Sequence, residues 1–158
     1  YISIMIYINK GASFSKCSKY RYSLWRTWSK KEIVMFIMLN PSTANENYDD
    51  PTIKKCVNYA KSWGFGGLIV GNIFAYRSTN PKKLKLVKNP EGKDNRKFLS
   101  KMITDSSLVI CAWGNGYGTP PLYLKKMSTL YYLKLNIDGT PAHPLYLNKS
   151  LSYKKFYI

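Results

Sequence analysis

Three apolar runs of strand length lie along the chain, one of them interrupted by Asn72. Ile33–Leu39 (IVMFIML) stops at Asn40-Pro41, Leu68–Phe74 (LIVGNIF) follows a glycine-rich turn, and Leu108–Trp113 (LVICAW) stops at a glycine. Runs without a polar face are typical of strands that are buried on both sides of a sheet. We therefore expect these segments to form the centre of a mainly parallel sheet.

Helical and weaker strand patterns surround these runs. Asp50-Pro51 is a capping pair, and the apolar residues after it recur at helical spacing, which predicts a helix over Thr52–Trp63. Four more elements are indicated: helices over Lys93–Thr104 and Leu122–Leu130, a strand over Tyr131–Ile137 and an aromatic edge strand over Tyr20–Trp28. This order predicts an α/β fold, a three-layer α/β/α sandwich with a central, mainly parallel four-stranded sheet.

The length and the net charge limit the number of domains and the kinds of partner that the chain can have. A chain of 158 residues suits one domain over 1–158, with the motif-bearing core at about 20–150. Lys and Arg total 25 against 8 Asp and Glu, a net charge of +17 that is spread along the chain. Such a surface gains affinity for polyanions by releasing counterions, so we expect DNA as the partner, with duplex favoured over single strands. A lysine-rich solvated surface is the alternative.

Other classes of protein are disfavoured. The cysteines at 17, 56 and 111 are isolated and lack metal-ligand spacing, so we expect no metal, no disulfide framework and no other cofactor. Tyr1–Ile8 is apolar but too short to span a bilayer, and it lacks the marks of a signal peptide. We therefore expect a cytoplasmic protein that needs neither a membrane nor an obligatory protein partner.

Polar segments follow the predicted strands. They are Asn40-Pro41-Ser42-Thr43, Asn72, the glycine-rich Gly114–Gly118, and His143-Pro144, which contains the only histidine. Ligands of open α/β sheets bind beyond the carboxyl ends of the strands, so the four segments can converge on one cleft. Asn40 could also be a turn-former before proline, and GNGYG lacks the established nucleotide-binding patterns. Asp49 and Asp50 are candidate acid/base groups, although helix capping accounts for Asp50.

These segments resemble, in the same order, the motifs of the uracil-DNA glycosylase superfamily. Met38–Ser42 is similar to a first motif Gly-x-Asn-Pro-Gly, and Gly71–Arg77 is similar to the strand that carries a base-reading Asn. Leu108–Gly114 is similar to a strand that ends in Leu-Gly, and His143–Leu145 is similar to a late His-Pro-Ser motif. Two departures are a Pro-Leu in place of Pro-Ser and Asn40 in place of the catalytic Asp of the most active branch. The chain also resembles a bacterial and phage family of unknown function with the blocks RYxLWRxW, MLNPSTA, DDPT, NxFAYR, AWG and HPLY.

The first resemblance implies a monofunctional DNA glycosylase that hydrolyses the N-glycosidic bond of a flipped base and leaves an abasic site. It implies that Asn40 holds the attacking water and that His143 donates a hydrogen bond to the departing base, each contributing about 2–4 kcal/mol. The resemblance also implies three sets of DNA contacts. The base would be recognised by Asn72, Ser42, Tyr48 and Phe74, and the gap that it leaves in the DNA helix would be filled by Leu145, Tyr146 and Leu147. The phosphates would be bound by Arg77, Lys82, Lys83 and Lys149.

The resemblance also bears on the substrate. Efficient uracil enzymes of the superfamily have a bulky Tyr after the motif proline, which closes off the pyrimidine 5-position, whereas Ser42 leaves room there. A modified cytosine such as the glucosylated hydroxymethylcytosine of phage DNA is the hypothesis, with a role in defence. The alternatives are a uracil or mismatch repair glycosylase, a non-catalytic DNA-binding module of the same fold, and a metal-dependent nuclease or nucleotide hydrolase that uses Asp49 and Asp50.

Overall fold

The computed structural model describes residues 6–157, so most of the apolar amino-terminal stretch 1–8 lies outside the described residues. Seven strands form one sheet in the order β1-β2-β4-β3-β5-β6-β7. The strands are β1 (Asn9–Phe14), β2 (Arg21–Thr27), β3 (Ile33–Met38), β4 (Gly67–Asn72), β5 (Leu108–Cys111), β6 (Tyr131–Tyr132) and β7 (Lys154–Lys155). The three apolar runs are thus strands β3, β4 and β5, and they are adjacent at the centre of the sheet.

Helices lie on both faces of this sheet. They are α1 (Pro51–Ser62), α2 (Asn95–Asp105) and α3 (Leu122–Met127), and a short 3-10 helix spans Pro81–Leu86. Because side chains alternate along a strand, β3 supplies Val34 and Phe36 to a core with α1, and Met35 and Ile37 to a core with α2 and α3. The predicted α/β class is therefore confirmed. Among residues 6–157 no helix is both long and apolar enough to cross a bilayer.

Asp50 starts α1 as the capping pattern predicts. Its Oδ1 accepts a hydrogen bond of 2.9 Å from the backbone N–H of Ile53, and Pro51 occupies the first helical position. The cap satisfies one of the donors that every helix leaves unpaired at its amino end. Consequently, the segment that joins β3 to α1 ends at a defined point beside the carboxyl edge of the sheet.

The prediction of a four-stranded, mainly parallel sheet is wrong. The pairings β3–β4, β3–β5 and β5–β6 are parallel, whereas β1–β2, β2–β4 and β6–β7 are antiparallel. The short connection from β1 to β2 permits only an antiparallel hairpin, since a parallel crossover needs a dozen or more residues. The segment 20–28 is not an edge strand either, because β1 lies outside β2.

Two predicted elements are shorter than the pattern indicated. The helix predicted over 122–130 ends at Met127, where Ser128 donates its backbone N–H to the Leu124 carbonyl. The strand predicted over 131–137 ends at Tyr132, and the chain then forms a turn in which Asn136 and Thr140 are hydrogen-bonded. The turn reverses the chain and brings the segment 141–144 back toward the sheet.

A buried ion pair attaches the segment before α1 to β2. Arg26 is 0% exposed and its Nε donates to Asp49 Oδ1 at 2.8 Å. Its Nη1 donates to the carbonyls of Gly11 and Trp25, and its Nη2 to those of Asn45 and Tyr48. Every nitrogen of this guanidinium is therefore paired, which is the condition under which a buried charge is tolerated.

We expect Asp49→Ala to lower the free energy of unfolding by about 3–5 kcal/mol, because it leaves the buried Arg26 cation without a counter-charge. Urea denaturation measures the effect. The matched control is Asp105→Ala, which removes the exposed pair with Lys101 and should change stability by less than about 1 kcal/mol. Equal effects of the two substitutions would contradict this assignment.

Candidate functional site

A cavity of about 340 Å³ opens at the carboxyl ends of the parallel strands. It is lined by the segment that follows β3, by the end of β4, by the loop after β5 and by His143. The three residues on which the sequence analysis depends, Asn40, Asn72 and His143, all line this cavity, and Ser42 does so as well. We call it the edge cavity. Its volume is at the lower end of the range for sites that bind small organic ligands, about 300–1,000 Å³.

Asn40 has a side chain with a defined orientation. Its Nδ2 donates to the carbonyls of Pro41, at 3.1 Å, and Ser78, at 2.8 Å. Both amide protons are thereby used, and Oδ1 has no hydrogen bond within residues 6–157. The structure thus holds an amide oxygen in place at the wall of the edge cavity, where it can accept a hydrogen bond from water.

Asn72 has an unpaired amide. The residue is 1% exposed, yet neither its Nδ2 nor its Oδ1 finds a partner in the described part of the chain. An unsatisfied buried polar group costs about 1–3 kcal/mol, so such groups are rare in folded proteins. The side chain offers one donor and one acceptor to whatever occupies the edge cavity.

Asn95 on α2 holds the backbone at this position, a role that the sequence pattern did not predict. It is 0% exposed, and its Nδ2 donates to the carbonyls of Asn72, at 2.8 Å, and Ile73, at 3.2 Å. These two bonds fix the chain where β4 ends. An Asn in the first turn of a predicted helix is ordinarily exposed, so no signal in the pattern indicated this role.

His143 is held by the loop after β5 and by its own turn. Gly114 donates its backbone N–H to the Pro141 carbonyl at 2.8 Å, and a Cβ added at Gly114 would lie 3.7 Å from that of His143. Gly114 has a φ of +79°, which favours glycine. The backbone N–H of Leu145 donates to His143 Nδ1 at 3.2 Å, so in the neutral imidazole the proton is on Nε2.

The ionisation of His143 follows from its surroundings. Desolvation by the protein lowers the pKa of the imidazole below its usual 6.5, and the Asp50 carboxylate opposes this shift. The neutral form therefore predominates at physiological pH. A neutral ring that accepts at Nδ1 presents an N–H donor at Nε2.

The structure adds a buried cation that the sequence analysis did not include in the site. Arg21 lines the edge cavity at 3% exposure, and its Nη1 donates to the Ala44 carbonyl at 2.9 Å. Desolvation lowers its pKa to about 10, with the Asp50 charge acting in the opposite direction. Because β2 runs antiparallel to β4, its first residue lies at the carboxyl edge of the parallel strands. The residue pattern predicted that this segment is a strand, but it did not predict the direction in which the strand runs.

Comparison with family models links the chain to known sequences. Residues 21–145 match the model of a family described as "Protein of unknown function (DUF1643)". The chain belongs to the DUF1643 family. The match begins at Arg21 and ends at Leu145, so it includes every residue of the edge cavity named above. Searches of curated proteins and of solved structures found no significant match.

Within this DUF1643 domain, the two aromatic residues predicted to stack on a base do not line the edge cavity. Tyr48 is 53% exposed on the turn that Arg26 holds. Phe74 lines a neighbouring apolar cavity of about 390 Å³, and its ring contacts that of Tyr117 edge-on. The aromatic side chain that does line the edge cavity is Trp113, whose Nε1 donates to the Gly118 carbonyl at 2.7 Å and so orders the Gly114–Gly118 loop.

The predicted DNA contacts differ in how far they project from the protein. Tyr146 is 94% exposed, three residues after His143, whereas Leu145 is half-buried and Leu147 packs against the core that contains α1. Only Tyr146 of the three therefore extends freely. Three of the predicted phosphate ligands are exposed lysines, at positions 82, 83 and 149. Arg77 is half-buried, with its guanidinium over the Phe14 ring and Nη1 on the Ser18 carbonyl.

We expect Asn72→Leu to leave the free energy of unfolding unchanged or to raise it by up to about 1–3 kcal/mol, because it replaces an unsatisfied amide by an apolar group of similar size. Chemical denaturation provides the measurement. Asn95→Leu is the control, since it removes two hydrogen bonds and should lower stability by about 1–3 kcal/mol. A loss of more than about 1 kcal/mol for Asn72→Leu would show that the amide is satisfied in the free protein.

We expect NMR titration of the single histidine to give a pKa below 6.5 in the folded protein. Because the folded-state pKa lies below the unfolded one, the unfolded chain binds more protons between the two values. His143 therefore lowers the stability of the fold as the pH falls through 6.5, and its effect levels off below the folded-state pKa. His143 is exposed on one side, so a titration midpoint at or above 6.5 would show that desolvation by the protein does not lower the pKa of the ring.

Proposed function

We propose that this protein is a DNA glycosylase that hydrolyses the N-glycosidic bond of a flipped, modified pyrimidine and leaves an abasic site. The observation that carries the proposal is the edge cavity itself: Asn40, Asn72 and His143, which are far apart in the chain, line one cavity. The unpaired amide of Asn72 supports a ligand with both a donor and an acceptor on one edge. The Watson–Crick edge of a pyrimidine has this character.

The reaction assigns a role to each polar group. The bond between the base nitrogen and C1′ breaks, and the electron pair leaves with the base, so negative charge develops on the pyrimidine and positive charge on the sugar. His143 donates its Nε2 proton as a hydrogen bond to the base oxygen that takes up this charge. Asn40 Oδ1 accepts a hydrogen bond from the water that attacks C1′, and the proton lost by that water passes to solvent or to the departing base.

Asp50 supplies the negative charge that stabilises the sugar cation in this proposal. It lines the edge cavity while one of its oxygens caps α1. Asp49 is not available for a similar role, since its carboxylate is bound by Arg26 and by the Tyr7 hydroxyl at 2.6 Å. This arrangement disfavours the alternative in which Asp49 and Asp50 jointly hold a metal, and no cluster of three metal-ligating side chains occurs within residues 6–157.

The surface around the cavity supports DNA as the substrate. The net charge of +17 favours a polyanion, and the exposed Tyr146 next to the His143 turn is suited to fill the gap that a flipped nucleotide leaves in duplex DNA. Ser42 lines the cavity with a small side chain, which leaves space for a 5-substituent. Glucosylated hydroxymethylcytosine is the candidate we favour, with a role in defence against phages; a uracil or mismatch repair glycosylase and a non-catalytic DNA-binding module are the alternatives.

The test is an excision assay on duplexes that carry uracil, a thymine mismatch, or a modified cytosine including the glucosylated form, with cleavage by alkali at abasic sites as readout. We expect release of a modified pyrimidine, and a loss of about 10²–10³-fold in the single-turnover rate for His143→Ala and for Asn40→Ala. DNA binding by both variants should persist, because their side chains contribute little to phosphate contacts.

The assay has a control variant, and two of its outcomes would refute different parts of the proposal. Ser150→Ala changes an exposed side chain outside the cavity and should leave the rate unchanged. Release of uracil alone would refute the modified-base part of the proposal. If the wild-type protein binds DNA without releasing any base, it is a binding module and not an enzyme.

A further inference from the structure

Strand β2 carries two buried arginines in very different surroundings. Arg26 has every nitrogen paired, with a carboxylate and four carbonyls as acceptors. Arg21 has one hydrogen bond, from Nη1 to the Ala44 carbonyl, and its Nε is buried without any acceptor in the described residues. The same strand thus contains one guanidinium that is fully hydrogen-bonded and has a structural role, and another at the wall of the edge cavity that lacks hydrogen-bond acceptors.

The missing acceptor is not supplied by a protein carboxylate. No Asp or Glu oxygen lies within 4.0 Å of Arg21 among residues 6–157, although Asp50 lines the same cavity. A buried cation with an unpaired donor is unfavourable unless a ligand provides an oxygen. A guanidinium has five N–H donors and no acceptor, so the group that completes it must be an acceptor.

The order of the strands places Arg21 relative to the other polar groups. Along the carboxyl edge the order is β2, β4, β3 and β5, so Arg21 comes first, then Asn72, then Asn40, and then Gly114, which lies beside His143. In the proposed reaction His143 binds the base oxygen next to the sugar, and Asn72 binds the middle of the pyrimidine edge. Arg21 therefore faces the part of the base farthest from the sugar, which carries the substituents on C4 and C5.

We infer that Arg21 is a specificity-determining residue that hydrogen-bonds an oxygen on the C4 or C5 substituent of the bound pyrimidine. The inference rests on the proposed function. It also supplies a reason for sparing unmodified cytosine and 5-methylcytosine, because the 4-amino group of cytosine and the methyl group of 5-methylcytosine offer no acceptor to a donor-only side chain. Leaving Arg21 unpaired in the complex would disfavour both of those bases.

Binding of uncleavable duplexes tests the inference without requiring catalysis. A 2′-fluoro sugar at the target blocks hydrolysis, and the probes form two matched pairs: 5-methylcytosine against 5-hydroxymethylcytosine, and cytosine against uracil. We expect the wild-type protein to bind the oxygen-bearing member of one pair about tenfold or more tightly, the range for a hydrogen bond to a charged group. The pair that shows the preference identifies the C5 or the C4 position.

Variants assign that preference to Arg21. Arg21→Met should abolish it, Arg21→Lys should retain part of it, and Arg96→Met, which alters an exposed arginine on α2, should leave it intact. Thermal unfolding verifies that each variant is folded. If Arg21→Met does not fold, the Nε–H NMR signal of Arg21 in the wild-type protein serves instead, and it should shift with the oxygen-bearing probe and not with its partner.

Two results would overturn the inference about Arg21, and a third would separate it from the glycosylase proposal. An equal loss of affinity for all probes, including an abasic one, would show that Arg21 binds phosphate or only supports the fold, and would overturn the inference. A wild-type protein that binds the probes without preference would overturn it as well. A preference that depends on Arg21, together with no base release in the excision assay, would refute the glycosylase proposal and leave the role of Arg21 in base recognition intact.

Discussion

The buried ion pair between Arg26 and Asp49 is the interaction on which the site depends. It connects the hairpin β1–β2 to the segment between β3 and α1, and the other hydrogen bonds of Arg26 go to two carbonyls of that segment, Asn45 and Tyr48, and to two of the hairpin, Gly11 and Trp25. This segment has no helix or strand of its own, and besides Arg26 the side chain of Arg21 holds it through the Ala44 carbonyl. Because the Arg26 guanidinium fixes two of its carbonyls, the position of Asp50 and the start of α1 follow, and Asn40 is constrained from the other end by β3.

Buried polar side chains in this protein differ in whether their donor groups are paired, and the difference marks the edge cavity. Arg26 and Asn95 are buried and use their donors on backbone carbonyls, so they organise the chain. Asn72 and Arg21 are equally buried, line the edge cavity and have unpaired nitrogens. Three of the four buried side-chain nitrogen and oxygen atoms without a partner in residues 6–157 belong to these two residues, and the fourth is Asn95 Oδ1. Unsatisfied groups reduce stability, and such a concentration at one cavity is the arrangement expected where binding of a ligand matters more than stability.

The mixed sheet has a consequence for the chemistry that the cavity can perform. A purely parallel sheet would bring only the residues that follow its strands to the carboxyl edge. The antiparallel β2 instead brings its first residue there, and that residue is Arg21. The hairpin therefore does more than cover the edge of the parallel strands, since it adds a permanent positive charge to a cavity whose other polar groups are amides, hydroxyls, an imidazole and a carboxylate.

The sequence by itself determined the three central strands, the capped helix α1 and the candidates Asn40, Asn72 and His143, because apolar runs, caps and interrupting polar residues are local signals. Only the tertiary structure decided the direction of β2, the position of Arg21 in the edge cavity and of Asn95 behind it, and the placement of Tyr48 and Phe74 outside it. The physical reason is that strand direction and side-chain pairing depend on contacts between residues far apart in the chain, as between Arg21 and Ala44 or Asn95 and Asn72. No local pattern of polar and apolar positions encodes such contacts.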